Sequence, residues 1–213
     1  MKWLPSILLA VWLFPAFAQQ QDFRLWTSLS QEVNLGKNVE LQLGQQARFN
    51  NNVAQLERHF YDVGLNFKLG DVYRLSPGYR FTDGLEEIGH RIQIDQSLNH
   101  NLPNKWWLKQ RLRLQWNLDQ PIYVTDYRIR YQFKLVKKFG KDFYLYTEPE
   151  LFYRHRFNFQ DFYQYRLEGG MKLEMGKGDW AALDLFYIFE DEFNIEAPLR
   201  SHILGFGLSF NLN

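Results

Sequence analysis

The chain has 213 residues, 46% hydrophobic and 18% aromatic, with a formal net charge of +1 and no cysteine. That length fits one domain. Near-neutrality supplies no global pull towards nucleic acid or anionic lipid, and the lack of cysteine excludes a disulfide framework, thiolate metal sites and an N-terminal lipidated Cys.

The first element reads as a targeting segment. Met1-Lys2 gives a positive start, and Trp3 to Phe17 is apolar apart from Ser6, with breaks at Pro5 and Pro15. Ala16-Phe17-Ala18 forms an A-x-A cleavage site before Gln19. Residues 1–18 are therefore expected to be a cleaved signal peptide and residues 19–213 the mature domain. An anchor helix would need about 20 apolar residues.

From Asp22 onward apolar and polar residues alternate with period two, which strands require and helices scatter. Phe23, Leu25, Leu29, Val33 and Leu35 oppose Arg24, Ser28, Ser30, Glu32 and Asn34. Val39, Leu41, Leu43, Ala47 and Phe49 oppose Glu40, Gln42, Gln46 and Arg48. Tyr61, Val63, Leu65, Phe67 and Leu69 follow, against Arg58, Asp62, Asn66 and Lys68. The cleanest case is Trp106 to Leu118, where Trp107, Lys109, Arg111, Arg113, Gln115 and Asn117 share the polar face. Tyr127, Ile129, Tyr131, Phe133 and Leu135 oppose Arg128, Arg130, Gln132 and Lys134. Tyr163, Tyr165, Leu167, Met171 and Leu173 oppose Gln164, Arg166, Glu168, Lys172 and Glu174. Leu204, Phe206, Leu208, Phe210 and Leu212 close the series against Gly205, Gly207, Ser209 and Asn211.

About eleven such segments of roughly 10 to 14 residues can be drawn, the length a tilted strand needs to cross a bilayer. Tight connections fall at Gly36-Lys37-Asn38, Gly70-Asp71, Asn101 to Lys105, Gly140-Lys141-Asp142 and Gly176 to Asp179. Longer polar ones lie around Asn50 to Gln55, Asp83 to Gly89, Asp119 to Thr125, His155 to Asp161 and Asp191 to Arg200. Short turns on one rim and long loops on the other are the pattern of outer-membrane barrels, the short side being periplasmic.

A soluble barrel alternates too, so three further features decide the expectation. Aromatics gather near the strand ends: Trp106, Phe143 and Tyr73 on the short-turn side, and Phe49, Tyr61, Trp116, Tyr127 and Tyr163 on the loop side. Eleven strands make too wide a ring for a small apolar calyx. No helix stands ready to cover a sheet edge, so the sheet must close on itself. The fold expected is all-β, an antiparallel up-and-down transmembrane β-barrel of 10–12 strands. Single-chain bacterial barrels have even counts, so parity argues for 10 or 12 and against eleven.

The opening Asp22-Phe23-Arg24-Leu25-Trp26, the Glu40 to Arg48 strand and the Arg128-Ile129-Arg130-Tyr131 strand resemble an uncharacterised outer-membrane β-barrel family of Bacteroidota and Proteobacteria, domain of unknown function 2490. That resemblance implies a barrel and no assigned activity. The final strand, with Phe206, Leu208 and Phe210 alternating, also resembles the signal read by the barrel-insertion machinery, although it ends on Asn213 instead of an aromatic.

The chemistry-bearing feature is the polar face. Arg74, Arg80, Arg91, Lys109, Arg111, Arg113, Arg128 and Arg130 lie on the middle strands, and Glu148, Glu150, Arg166, Glu168, Glu174, Asp184 and Glu190 on the later ones. Lining a lumen, they set a basic wall against an acidic one. Either the walls select small polar solutes, as charged rings do in pores, or they pair into a plug, as buried charges must. A narrow pore or solute channel is one reading. A structural or surface barrel acting through its loops is a second. A lipid-modifying enzyme using His202 beside Ser201, or His155, is a third, and a triad is recognised only by geometry. Metal sites have weak candidates: Glu57 with His59, the loop Asp83, Glu86, Glu87, and Asp191, Glu192, Glu196. No cofactor is expected and no nucleic acid. The partners expected are outer-membrane lipids and lipopolysaccharide, with the insertion machinery during assembly, in the outer membrane of a Gram-negative bacterium.

Overall fold

The computed structural model describes residues 20–85, 88–118, 126–156, 159–176 and 180–212. The signal-peptide residues, Glu86, Glu87 and Asn213 lie outside them. Eleven strands run β1 Gln20–Gly36, β2 Val39–Asn50, β3 Gln55–Leu69, β4 Tyr73–Gly84, β5 Ile88–Leu102, β6 Trp106–Asn117, β7 Asp126–Phe139, β8 Phe143–Arg156, β9 Phe159–Met175, β10 Ala181–Glu192 and β11 Leu199–Leu212. Each pairs antiparallel with its sequence neighbour, and β1 meets β11 to close the barrel.

The number is eleven, which the parity argument had disfavoured. With directions alternating along the chain, an odd count sends the first and last strands the same way. The seam is accordingly parallel, in unbroken register from Gln20 opposite Leu199 to Val33 opposite Leu212. Parallel ladders are slightly weaker per residue. Behind this one stands the apolar core of the molecule: Trp26, Ile188 and Ile203, all nearly inaccessible, with Phe186 packed against them. Ser201 and Ile203 of the seam strand have no exposed surface at all.

Alternation sorts the two faces. Large apolar side chains such as Tyr131 and Leu167, each 48% exposed, cover the outside, while Asp95, Gln115, Gln132 and Glu150 are buried within. Tyr163 is an exception to the expected pattern. Tyr153 pairs with Phe162 and Phe152 with Gln164, so Tyr163 is the extra residue of a bulge. A bulge re-aims its side chain, and Tyr163 turns inward, 7% exposed, edge-on to Phe152 at 6.1 Å. It therefore does not join the loop-side aromatic belt.

The rims also differ from expectation. One carries the connections 37–38, 70–72, 103–105, 140–142 and 176–180, with Gly70 and Gly140 in left-handed turns. The other carries 51–54, 85–87, 118–125, 157–158 and 193–198. Only 118–125 and 193–198 are long. Elsewhere the polar residues stay in the ladder, as where Arg154 pairs with Asp161 and His155 with Gln160, so polar composition marks strand extensions as well as loops.

Candidate functional site: the charged lumen

Inward-facing side chains meet across strands that are not neighbours, which fixes the lumen as narrow. Arg111 on β6 reaches Glu150 on β8 over β7, at 3.4 Å. Arg166 on β9 lies over the ring of Trp26 on β1, with β10 and β11 between them in the wall.

The middle of the bore is an ion-pair belt. Glu150, its side chain 3% exposed, accepts from Arg130 at 2.7 Å and lies within 3.5 Å of Arg166 and 3.4 Å of Arg111. Arg166 also donates to Glu190 at 2.5 Å. Arg113 donates twice to Asp95, both at 2.6 Å, and Arg80 twice to Asp62, at 2.7 and 2.8 Å. Asp126 receives both Arg128 and Arg154. Bidentate guanidinium–carboxylate pairs are short and geometrically fixed, and buried charges persist where such partners exist.

Aromatic rings knit this belt together. Phe60 lies between Arg48 and Arg80, with Cζ to ring-centre distances of 4.6 and 4.7 Å. Trp26 lies between Arg48 at 3.7 Å and Arg166 at 5.0 Å. Phe152 lies between Arg166 at 5.0 Å and Arg130 at 4.7 Å. A continuous ladder results: Arg80, Phe60, Arg48, Trp26, Arg166, Phe152, Arg130. Each ring face offers partial negative charge to a cation and an apolar surface to its planar flank.

Towards the short-turn rim the lumen changes to lysine and glutamate. Lys134 pairs with Glu148 at 2.7 Å. The Tyr146 hydroxyl stands 2.9 Å from both Glu168 and Asp184. Tyr144 donates to Glu174, which Lys138 and Lys172 also approach. Lys109 borders the space shared with Arg111, Lys134, Glu148 and Glu168, and Arg74 stands opposite Lys68 in the ladder. Every charged residue named from the sequence as a lumen candidate thus falls on the inward face. The simple picture of a basic wall facing an acidic one needs amendment, because Asp62, Asp95 and Asp126 neutralise the basic strands locally. Trp26, Phe60 and Phe152, which hold the belt, were not among the candidates. Parity carried the signal for Trp26, since Arg24 and Ser28 flank it on the inward face.

Other candidates do not assemble. Ser201 is buried at the seam while His202 faces outward and shares a 2.7 Å hydrogen bond with Tyr187, so these neighbours sit on opposite faces. His155 is on the outer wall beside Tyr127, at 6.2 Å between ring centres. Glu57 and His59 do not share a face either. The register shifts at Arg48/Phe49, turning Glu57 towards Arg58 and Arg24 inside while His59 bonds Tyr61 outside. Asp191 pairs with Arg200. Among the described residues no group of three His, Asp or Glu could hold a metal ion.

Besides the space beside Lys109, three more interrupt the packing among the described residues. A vestibule of about 390 Å³ opens among the strand ends of the long-connection rim, bordered by Glu57, Arg58, Arg91 and Arg128. Beneath it, a cavity of about 130 Å³ shares Arg58, Arg91 and Arg128 with the vestibule and reaches down to the belt at Arg130 and Arg166. A further space of about 260 Å³ lies by Gly44, Gly64 and Gly78, whose missing side chains leave room beside Arg80 and Arg113.

With a closed barrel, an apolar exterior and a charged interior in view, the sequence comparison decides the family. The profile of the family described as "Protein of unknown function (DUF2490)" matches residues 23–196. The chain belongs to that family. The resemblance drawn from Asp22 to Trp26, Glu40 to Arg48 and Arg128 to Tyr131 therefore holds, and DUF2490 is represented here by a closed β-barrel of eleven strands. No curated protein matches the sequence. Among solved structures the chain is similar to OmpTdeltaL8, a loop L8 deletion mutant of OmpT, an outer membrane protein of Vibrio cholerae, with 9% identity and a TM-score of 0.48. That match covers 78% of this chain and 57% of the other, so the chain spans little more than half the length of that protein.

Proposed function

We propose that this DUF2490 protein is an outer-membrane barrel of a Gram-negative envelope acting as a narrow, solute-selective channel that rests closed. The long-connection rim faces outward and the short turns face the periplasm. The observation that carries the reading is the series of spaces: a rim vestibule, then an arginine-lined cavity, then a belt joined by ion pairs instead of by covalent or purely apolar packing. Polar, paired side chains can exchange partners with a passing solute, whereas a dry apolar plug cannot.

The experiment is single-molecule conductance in planar bilayers. Wild-type protein is expected to show rare, small openings. Glu150→Ala, which removes the carboxylate shared by Arg111, Arg130 and Arg166, and the double variant Arg111→Ala with Arg130→Ala are expected to open more often. If neither variant nor wild type passes current or releases small polar solutes from loaded vesicles, the channel reading fails.

The outer wall supports the lipid partners that go with it. Three tyrosine–histidine pairs, Tyr61 with His59, Tyr79 with His90 and Tyr187 with His202, face outward in the half of the barrel nearer the long-connection rim. Amphipathic rings at that level suit the headgroup zone of the bilayer, where lipopolysaccharide is the outward-facing lipid. Leu204, Phe206 and Leu208, outward on the last strand, suit reading by the insertion machinery.

A further inference from the structure

The cavity beneath the vestibule is lined by seven arginines and a single carboxylate, Glu190. Five of the seven have carboxylate partners: Arg58 with Glu57, Arg80 with Asp62, Arg128 with Asp126, Arg130 with Glu150, and Arg166 with Glu190. Arg48 and Arg91 have none within 4 Å among the described residues. Each commits its Nε to a neutral amide oxygen instead: Arg48 to Gln46 at 3.0 Å, and Arg91 to Asn117 at 2.6 Å. Arg48 is also held between the faces of Trp26 and Phe60. Both guanidiniums are thus fixed in direction, from β2 and β5, around one small space.

A guanidinium stays charged at any ordinary pH, so two that are set inside a protein wall with no carboxylate paired to them within 4 Å leave room for an anion. From this geometry we infer that the cavity is a binding site for a small oxyanion, phosphate or the phosphate or carboxylate end of a small solute, held by Arg48 and Arg91. The inference rests on the reading of the lumen as open to solute from the vestibule, and it names the class of solute. The planar fork of arginine matches oxyanion geometry with two parallel donors. A space of about 130 Å³ holds roughly four waters at about 30 Å³ each, which suits one oxyanion group. Arg58, Arg91 and Arg128 border both the vestibule and the cavity, so guanidinium groups run from the rim to the site, and Arg91 is the one among them with no carboxylate within 4 Å among the described residues.

The test is calorimetric titration of folded protein in nonionic detergent with inorganic phosphate, at constant ionic strength with chloride as the background anion. Saturable binding is expected, weakened at least tenfold in Arg48→Gln with Arg91→Gln. It should be weakened less in Arg48→Lys, which keeps charge and loses the fork. Lys137→Gln, on the outer wall over Trp106, should bind as wild type. Absence of saturable phosphate binding by wild type, or unchanged affinity in the double variant, overturns the inference. Where the double variant does not fold, Arg91→Gln alone is decisive, because its ring-free setting leaves the aromatic ladder intact, and unchanged affinity there also overturns it. Phosphate binding without conductance removes the channel reading and keeps the site. Conductance without phosphate binding does the reverse.

Discussion

The Arg166 guanidinium lies 5.0 Å from the centre of the Trp26 ring, although their strands stand three places apart in the barrel wall. Trp26 also packs on Ile188 and Ile203 behind the parallel seam. One side chain therefore serves two structures at once: it backs the parallel ladder of the barrel and holds two arginines of the ion-pair belt.

Trp26→Ala should then cost more than an ordinary wall substitution. Truncating a buried aromatic costs about 3–5 kcal/mol, and the loss here removes the ring between Arg48 and Arg166 as well. Urea unfolding of protein refolded into vesicles, followed by tryptophan fluorescence, measures it against Leu29→Ala on the outer face. Equal destabilisation by the two would refute the buried role.

Gly205 supplies a second prediction. A Cβ there would come within 2.1 Å of the Phe186 ring, which lies in the core cluster. Gly205→Ala is expected to destabilise by about 1–3 kcal/mol, the usual cost of overpacking, with partial rescue by Phe186→Leu. Gly207→Ala meets chiefly the Ser28 hydroxyl, at 2.6 Å, a group that rotates aside. Its melting temperature should stay closer to wild type. The reverse order would show that Phe186 does not pack on the seam strand.

The seam itself can be trapped, and the absence of native cysteine makes the readout clean. Ser30 and Ser209 are register partners across β1 and β11. Ser30→Cys with Ser209→Cys should form an intramolecular disulfide on mild oxidation, seen as faster migration of the unreduced chain. Ser30→Cys with Ser97→Cys, which puts the second thiol on β5, should not. If only the second pair cross-links, β1 is not a wall strand and the barrel does not close as described.

Much of this fold could be read from periodicity. Runs such as Trp106 to Leu118 and Tyr127 to Leu135 assign each side chain to a face, because successive residues of a strand point to opposite sides whatever the strand pairs with. That local rule put Arg111, Arg130, Arg166 and Glu150 inside together. It failed at Tyr163 and Glu57, where a bulge or register shift breaks the count, since bulges depend on the partner strand. It was also misled at the loops, because residues such as Arg154 and Asp161 are polar yet remain paired beyond the apolar belt.

The sequence by itself determined most strand faces, about eleven amphipathic segments and the membership of a barrel family, all properties of neighbouring residues or of their order, while its parity argument pointed to 10 or 12 strands. Tertiary structure alone decided that the first and last strands run parallel, which guanidinium meets which carboxylate, and that Arg48 and Arg91 are left with amide partners. Those outcomes follow from ring closure and from the stagger between strands. Both bring together residues far apart in the chain, and no local pattern encodes that distance.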